Sequence, residues 1–90
     1  MKAKWDCEIA PPAQRDLKRL PRDLRVNLLT RVVSLCGDPK NFPQTRKLKG
    51  SPDRFRLRVG DYRVVYSLDE EARRVRVERV RHRREAYRGL

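Results

Sequence analysis

Three arginines alternate with apolar residues in the run Phe55–Tyr66: Arg56 and Arg58 lie among Phe55, Leu57 and Val59, and Arg63 lies between Tyr62 and Val64. Guanidinium groups at this spacing can hold a phosphate, because each offers a planar fork of donors and stays protonated. Gly60-Asp61 joins the two runs as a two-residue turn suited to the twist of antiparallel strands, so Val59 is expected opposite Tyr62. Arg58 then falls opposite Arg63. Like charges facing each other destabilise a sheet, so the arrangement makes sense where an anion normally sits between them. The bland alternative is a solvated sheet face with scattered ion pairs.

The rest of the chemical inventory is short. His82, the only histidine, sits between Arg81 and Arg83. Their positive field favours a neutral imidazole, which can accept a proton as a general base. Tyr87 could pack as an aromatic, donate a proton, or stack on a base. The sequence holds no P-loop, no nucleophile elbow and no Cys/His cluster, so neither a cofactor nor a metal is expected. RNA cleavage is one reaction that such a set can run. The substrate's own 2′-OH attacks the neighbouring phosphate, and the protein need only orient, move protons and stabilise charge. Arginines suit the last task and are poor bases, so proton transfer falls to His82, Tyr87 or water.

Several elements must position these groups. Lys2–Ile9 alternates, with Ala3, Trp5, Cys7 and Ile9 on one face, and predicts a half-buried strand. Pro11-Pro12 ends it and suits a helix opening. Ala13, Leu17 and Leu20 predict a short first helix closed by Pro21. Leu24, Leu28, Val32 and Leu35 form the stripe of a second helix from about Pro21 to Cys36, stopped by Gly37-Asp38-Pro39. Residues 38–53 hold three prolines and no clear period, and read as a long connection carrying Lys47 and Lys49 around Leu48. After the hairpin, a turn at Asp69–Ala72 leads to a last strand, Arg73–Val80. If Leu68 pairs with Arg73, then Arg74, Arg76 and Glu78 join the arginine face, with Glu78 opposite Arg63. The expected fold is α+β: an N-terminal strand, a two-helix hairpin, and a three-stranded antiparallel meander. Helices cover one face of a twisted sheet and the basic face stays open.

Ninety residues make a single domain spanning 1–90. Against 12 acidic side chains stand 24 basic ones, a net charge of +12, and 18 of those basic residues are arginines. A field this strong favours polyanions. It is concentrated in residues 46–90, which carry 15 basic and 7 acidic side chains. A base-rich genome could explain some of the arginine preference, but not its placement. No stretch approaches a membrane span and the start lacks a signal-peptide pattern, so a cytoplasmic protein is expected, with Cys7 and Cys36 as small core residues rather than a disulfide.

The segments Ala13–Pro21, Leu35–Pro39, Lys47-Leu48-Lys49-Gly50, Phe55–Tyr66 and His82-Arg83-Arg84-Glu85-Ala86-Tyr87 together resemble the RelE/ParE superfamily of toxins, and within it the RelE-like mRNA interferases. The resemblance runs from Trp5 to Tyr87. It implies a toxin neutralised by a co-encoded acidic, RelB-like antitoxin, monomeric when free and part of a higher-order complex when bound. Once free, such a toxin enters the ribosomal decoding site and cuts mRNA by 2′-OH attack without a metal. Carried over by position, the catalytic groups are Arg56, Arg58, Arg63, Arg83 and Tyr87, with Arg81 able to replace Arg83. Arg56 and Arg58 stand where the best-known family member has lysines, which retains phosphate binding and moves proton transfer to His82 or Tyr87. Lys47, Lys49, Arg74, Arg76 and Arg81 are the expected RNA-backbone contacts. Two alternatives stay open: a ParE-like inhibitor of DNA gyrase, and a non-catalytic RNA- or ribosome-binding protein.

Overall fold

Alternation in the second half of the chain becomes strands, and the apolar stripes of the first half become helices, in a computed structural model that describes residues 5–84. The order is β1 (Asp6–Ile9), α1 (Pro11–Lys18), α2 (Arg22–Leu35), β2 (Thr45–Lys47), β3 (Arg54–Val59), β4 (Tyr62–Asp69) and β5 (Arg74–His82). The strands form one sheet in the order β1-β5-β4-β3-β2. β1 runs parallel to β5 and the other neighbours are antiparallel. The α+β arrangement is therefore as expected from the sequence, with one strand more.

Both helices bury their stripes on the same face of the sheet. Ala13 and Leu17 of α1 and Leu28, Val32 and Leu35 of α2 pack with Leu57, Val64, Tyr66, Val75 and Val77. Removing each large aliphatic side chain from water contributes roughly 1.5–3 kcal/mol. Pro11 and Pro12 open α1, where the missing amide hydrogens would have no helical partner anyway. Gly60 adopts φ 58 at the first turn position of the hairpin, a conformation open to glycine and natural to a tight turn between β3 and β4.

Three local expectations change. The connection 38–53 contains a strand, because Arg46 and Lys47 pair with Arg56 and Phe55 and so extend the sheet. The turn before β5 lies one residue later than expected, at 70–73, with Asp69 opposite Arg74. Arg73 takes a left-handed φ of 51, its carbonyl accepts the Asp6 amide hydrogen at 2.8 Å, and its guanidinium stacks 5.3 Å from the Trp5 ring. Held there, Arg73 does not join the ladder, and Leu68 pairs with Val75. Lastly, Cys36 is buried but Cys7 is exposed on the edge strand β1, and both are free thiols.

β5 also contains a bulge opposite Val65 and Tyr66. Val77 pairs with Tyr66 and Arg79 with Val65, leaving Glu78 as the extra residue. That one insertion keeps both Val77 and Val80 in the core and resets the register of everything after it. Arg81, not Glu78, faces Arg63.

Candidate functional site

The sheet face turned away from the helices carries Arg46 of β2, Arg54, Arg56 and Arg58 of β3, Arg63 of β4, and Arg74, Arg76, Arg79 and Arg81 of β5, by the pairing register. Strands lie about 4.8 Å apart, so these side chains are crowded. Arg58, Arg63 and Arg81 stand in one row across three strands, and Arg46 and Arg56 stand side by side in the next. A cavity of about 270 Å³ opens among Arg46, Arg56, Arg58, Arg63, Gln44 and Thr45.

Arg63 is the centre of this group. It is only 6% exposed. Its Nη1 donates to the carbonyls of Tyr62 and Gly60 at 3.2 and 3.4 Å. Among the described residues, Arg46, Arg58, Arg63 and Arg81 have no carboxylate within ion-pairing distance. The Nε of Arg81 is shielded from solvent and finds no acceptor among them. A buried, unneutralised guanidinium is costly, and packing three in a row adds repulsion. An anion bound among them removes both penalties.

Acidic partners lie elsewhere on the same face. Glu8 of β1 pairs with Arg74 at 3.7 Å and also with Arg76. Glu78 pairs with Arg54 at 3.1 Å and accepts from Ser67 at 3.1 Å. Arg74 and Arg76 sit beside Asp69 and Ser67, about 20 and 13 Å along the sheet from Arg63 at 3.3 Å per residue. They line a separate hollow with Glu8, Asp53, Asp69, Glu70 and Glu71. Of the five arginines expected to act together, Arg74 and Arg76 are thus ion-paired with Glu8, whereas Arg58 and Arg63 meet no carboxylate at ion-pairing distance among the described residues. The expected Glu78–Arg63 bridge is absent, because the later turn shifts β5 by two residues along β4 and leaves Glu78 at the bulge beside Val65 and Tyr66, where it pairs with Arg54.

Asp16 holds the bare end in place. β1 stops at Ile9, and beyond it α1 covers the edge of β5. The Asp16 carboxylate accepts the Val80 amide hydrogen at 2.9 Å and the Arg79 Nε at 2.9 Å. Burial alone would push its pKa up, but the Arg79 hydrogen bond, the Val80 amide and the charges of Arg79 and Arg81 outweigh burial and hold it below the usual carboxylate value. Sequence reasoning missed this residue, since nothing local to α1 marks it.

The remaining candidates are spread out. His82 pairs with Tyr62, on the helix side of the sheet rather than the arginine side. Its ring meets Tyr62 edge-on at 5.2 Å, and its Nδ1 accepts the Arg84 amide hydrogen at 3.3 Å. Arg83 is exposed, 3.9 Å from the Asp61 carboxylate. Lys47 shares the parity of Thr45, opposite to Arg46 and Arg56, and Lys49 follows the strand. Tyr87 lies outside the described residues. Arg46 is a further member that sequence reasoning placed in a loop; the alternation of Thr45, Arg46, Lys47 and Leu48 was its only signal.

Residues 7–87 match the family described as ParE toxin of type II toxin-antitoxin system, parDE. A candidate toxin, RelE1, from Methanocaldococcus jannaschii is 29% identical over 88 residues, covering 96% of this chain and 98% of that one. Among solved structures, the Mycobacterium tuberculosis RelBE2 toxin-antitoxin complex matches with a TM-score of 0.80 and 26% identity, over 92% of this chain and 95% of that one. The archaeal RelE-RelB complex from Pyrococcus horikoshii matches with a TM-score of 0.77 and 25% identity, over 90% and 97%.

Proposed function

The chain belongs to the ParE toxin family of type II toxin-antitoxin systems, and on that premise we propose that it is a RelE-like, ribosome-dependent endoribonuclease that cuts mRNA. The observation that carries this reading is the buried Arg63 guanidinium between Arg58 and Arg81, with no carboxylate at ion-pairing distance among the described residues. Cleavage by the 2′-OH of the substrate builds up negative charge on a phosphate, and fixed cations around that phosphate act where the charge develops. Arg58, Arg63 and Arg81 are the phosphate-stabilising groups in this reading, with Arg46 and Arg56 beside them. Arg81 takes the role of the tail arginine in preference to Arg83, because register places it in the row. The imidazole of His82 is turned to the other face, so the proton-transfer role is assigned to Tyr87.

A toxin with so bare a cationic face needs a mask. Two of the similar solved structures are complexes of a RelE toxin with a RelB antitoxin, and the partner proposed here is an acidic antitoxin segment that covers the arginine row. The ribosome and mRNA are the proposed targets, in the cytoplasm. No helix among the described residues is long and apolar enough to cross a membrane.

Mapping mRNA 5′ ends after induction tests the activity directly. Codon-phased cuts in translated messages are expected, and they should vanish with Arg63→Ala and fall by about 100-fold or more with Tyr87→Phe, the scale of losing a charge-stabilising or proton-transfer group. Growth arrest that survives both substitutions undiminished sinks the nuclease reading. Intact messages accompanied by DNA damage would point to gyrase.

A further inference from the structure

A second hollow lies at the hairpin tip, beside the arginine cavity. It measures about 330 Å³ and is lined by Asn27 and Arg31 of α2, by Gln44, and by Arg58, Val59 and Gly60. Asn27 and Arg31 are one helical turn apart and so share a face of α2. The Arg31 guanidinium is seated over the Phe42 ring at 5.2 Å, which fixes its plane. Gln44 holds a left-handed φ of 66, uncommon for a residue with a side chain. Its carbonyl accepts the Arg58 amide hydrogen at 2.9 Å, which pins the backbone in that conformation. Strain of this kind concentrates at binding sites.

Gln44 and Arg58 line both cavities. A ligand whose anionic group occupies the first therefore carries its adjoining group into the second. The two linings differ in chemistry. Beyond the shared Gln44 and Arg58, the first adds three guanidinium groups and Thr45, whereas the second adds the Asn27 carboxamide and the plane of a fixed arginine. A nucleotide divides in the same way, into a phosphate and a flat base with a polar edge. Carboxamides pair in bidentate fashion with the N6/N7 edge of adenine, and unstacked RNA bases lie on arginine planes.

We propose that the hollow between α2 and the hairpin tip is a nucleobase subsite, with Asn27 and Gln44 selecting adenine next to the phosphate held by the arginine row. The proposal rests on the nuclease reading for the position of that phosphate, and its test needs no cleavage. The full chain is titrated with dAMP, dCMP and inorganic phosphate, followed by NMR. The expected result is that dAMP moves the side-chain amide signals of Asn27 and Gln44 and the Gly60 backbone signal, and binds about tenfold more tightly than dCMP. Inorganic phosphate should move arginine signals and leave the Asn27 carboxamide, which lines only the second hollow, still. Asn27→Ala and Gln44→Gly should each reduce the preference to about twofold or less. Glycine suits the second position because it removes the side chain where φ is positive.

Equal affinity for dAMP and dCMP, or a preference that persists in both variants, overturns the subsite. A dAMP preference in a protein that leaves messages intact supports the subsite and removes the nuclease reading. Cleavage of messages together with equal binding removes the subsite and leaves the nuclease.

Discussion

At the scale of single residues, the arginines were visible as chemistry before their environment was known. Arg56, Arg58 and Arg63 follow from alternation and one turn, and Val59 does pair with Tyr62. The tail was ambiguous because Arg81 and Arg83 share parity and charge. In the structure only Arg81 stands in the row with Arg63. If the row stabilises a developing phosphate charge, Arg81→Ala should reduce cleavage by about 100-fold or more. Arg83→Ala should cost less than tenfold in the same primer-extension assay, as Arg83 is exposed beside Asp61. Asp16 was invisible in the sequence because its partners lie more than 60 residues away. Its carboxyl is depressed in the folded chain, so it contributes stability above its unfolded value near 3.9 and loses that contribution as pH falls through the lower folded value. Asp16→Asn should therefore be less stable than the wild-type chain at pH 7, with the gap narrowing below about pH 4 in urea melts taken across pH. A gap independent of pH would show that the charge of Asp16 contributes nothing. Asp16→Ala, which strands the Val80 amide, should cost about 1–3 kcal/mol at neutral pH.

Elements are where the sequence was most and least legible. The helical stripes are long and periodic, and α2 begins and ends within a residue of its expected bounds. The sheet's interior follows from the same patterning. What alternation does not encode is a one-residue offset, because the pattern on either side of a bulge is equally regular. Arg74-Val75-Arg76-Val77 and Arg79-Val80-Arg81 each alternate cleanly, with Glu78 between them. Pairing beyond the bulge is therefore set by tertiary partners such as the Val80–Asp16 contact. Short β2 escaped notice for a related reason: three exposed or half-buried residues carry too little apolar signal, and pairing with β3 creates the strand. The bulge can be tested directly. Deleting Glu78 leaves Tyr66–Val77 and Val65–Arg79 able to pair without a gap, so Arg81 still meets Arg63. Circular dichroism with urea melts should show a folded chain weakened by about 1–2 kcal/mol, the scale of the lost Glu78 contacts to Arg54 and Ser67. Inserting an alanine after Val80 instead turns the Arg81 side chain toward the apolar face, and should abolish cleavage.

On the scale of the whole molecule, a net charge of +12 announces a polyanionic partner without saying where it sits. Charge on the open face is not spread evenly. At one end Glu8 is shared by Arg74 and Arg76, and Glu78 pairs with Arg54. At the other, Arg46, Arg58, Arg63 and Arg81 meet no carboxylate at ion-pairing distance among the described residues. The division depends on β1 running parallel to β5, which brings Glu8 to residues 66 and 68 positions away in sequence. No local pattern could reveal it. It has a thermodynamic consequence, because only cations that meet phosphate directly release counterions on binding. For single-stranded RNA the salt dependence of log K has a slope of about −0.7 per phosphate contact. Anisotropy titrations with a non-cleavable 2′-deoxy strand across salt concentration should give a slope near −3 if the four bare arginines each take a phosphate. Arg58→Ala should make that slope shallower by about 0.7, whereas Arg74→Ala should leave it unchanged, since Glu8 already occupies that guanidinium. If the two substitutions shift the slope equally, binding follows the total charge of the chain, and the arginine row is not a site.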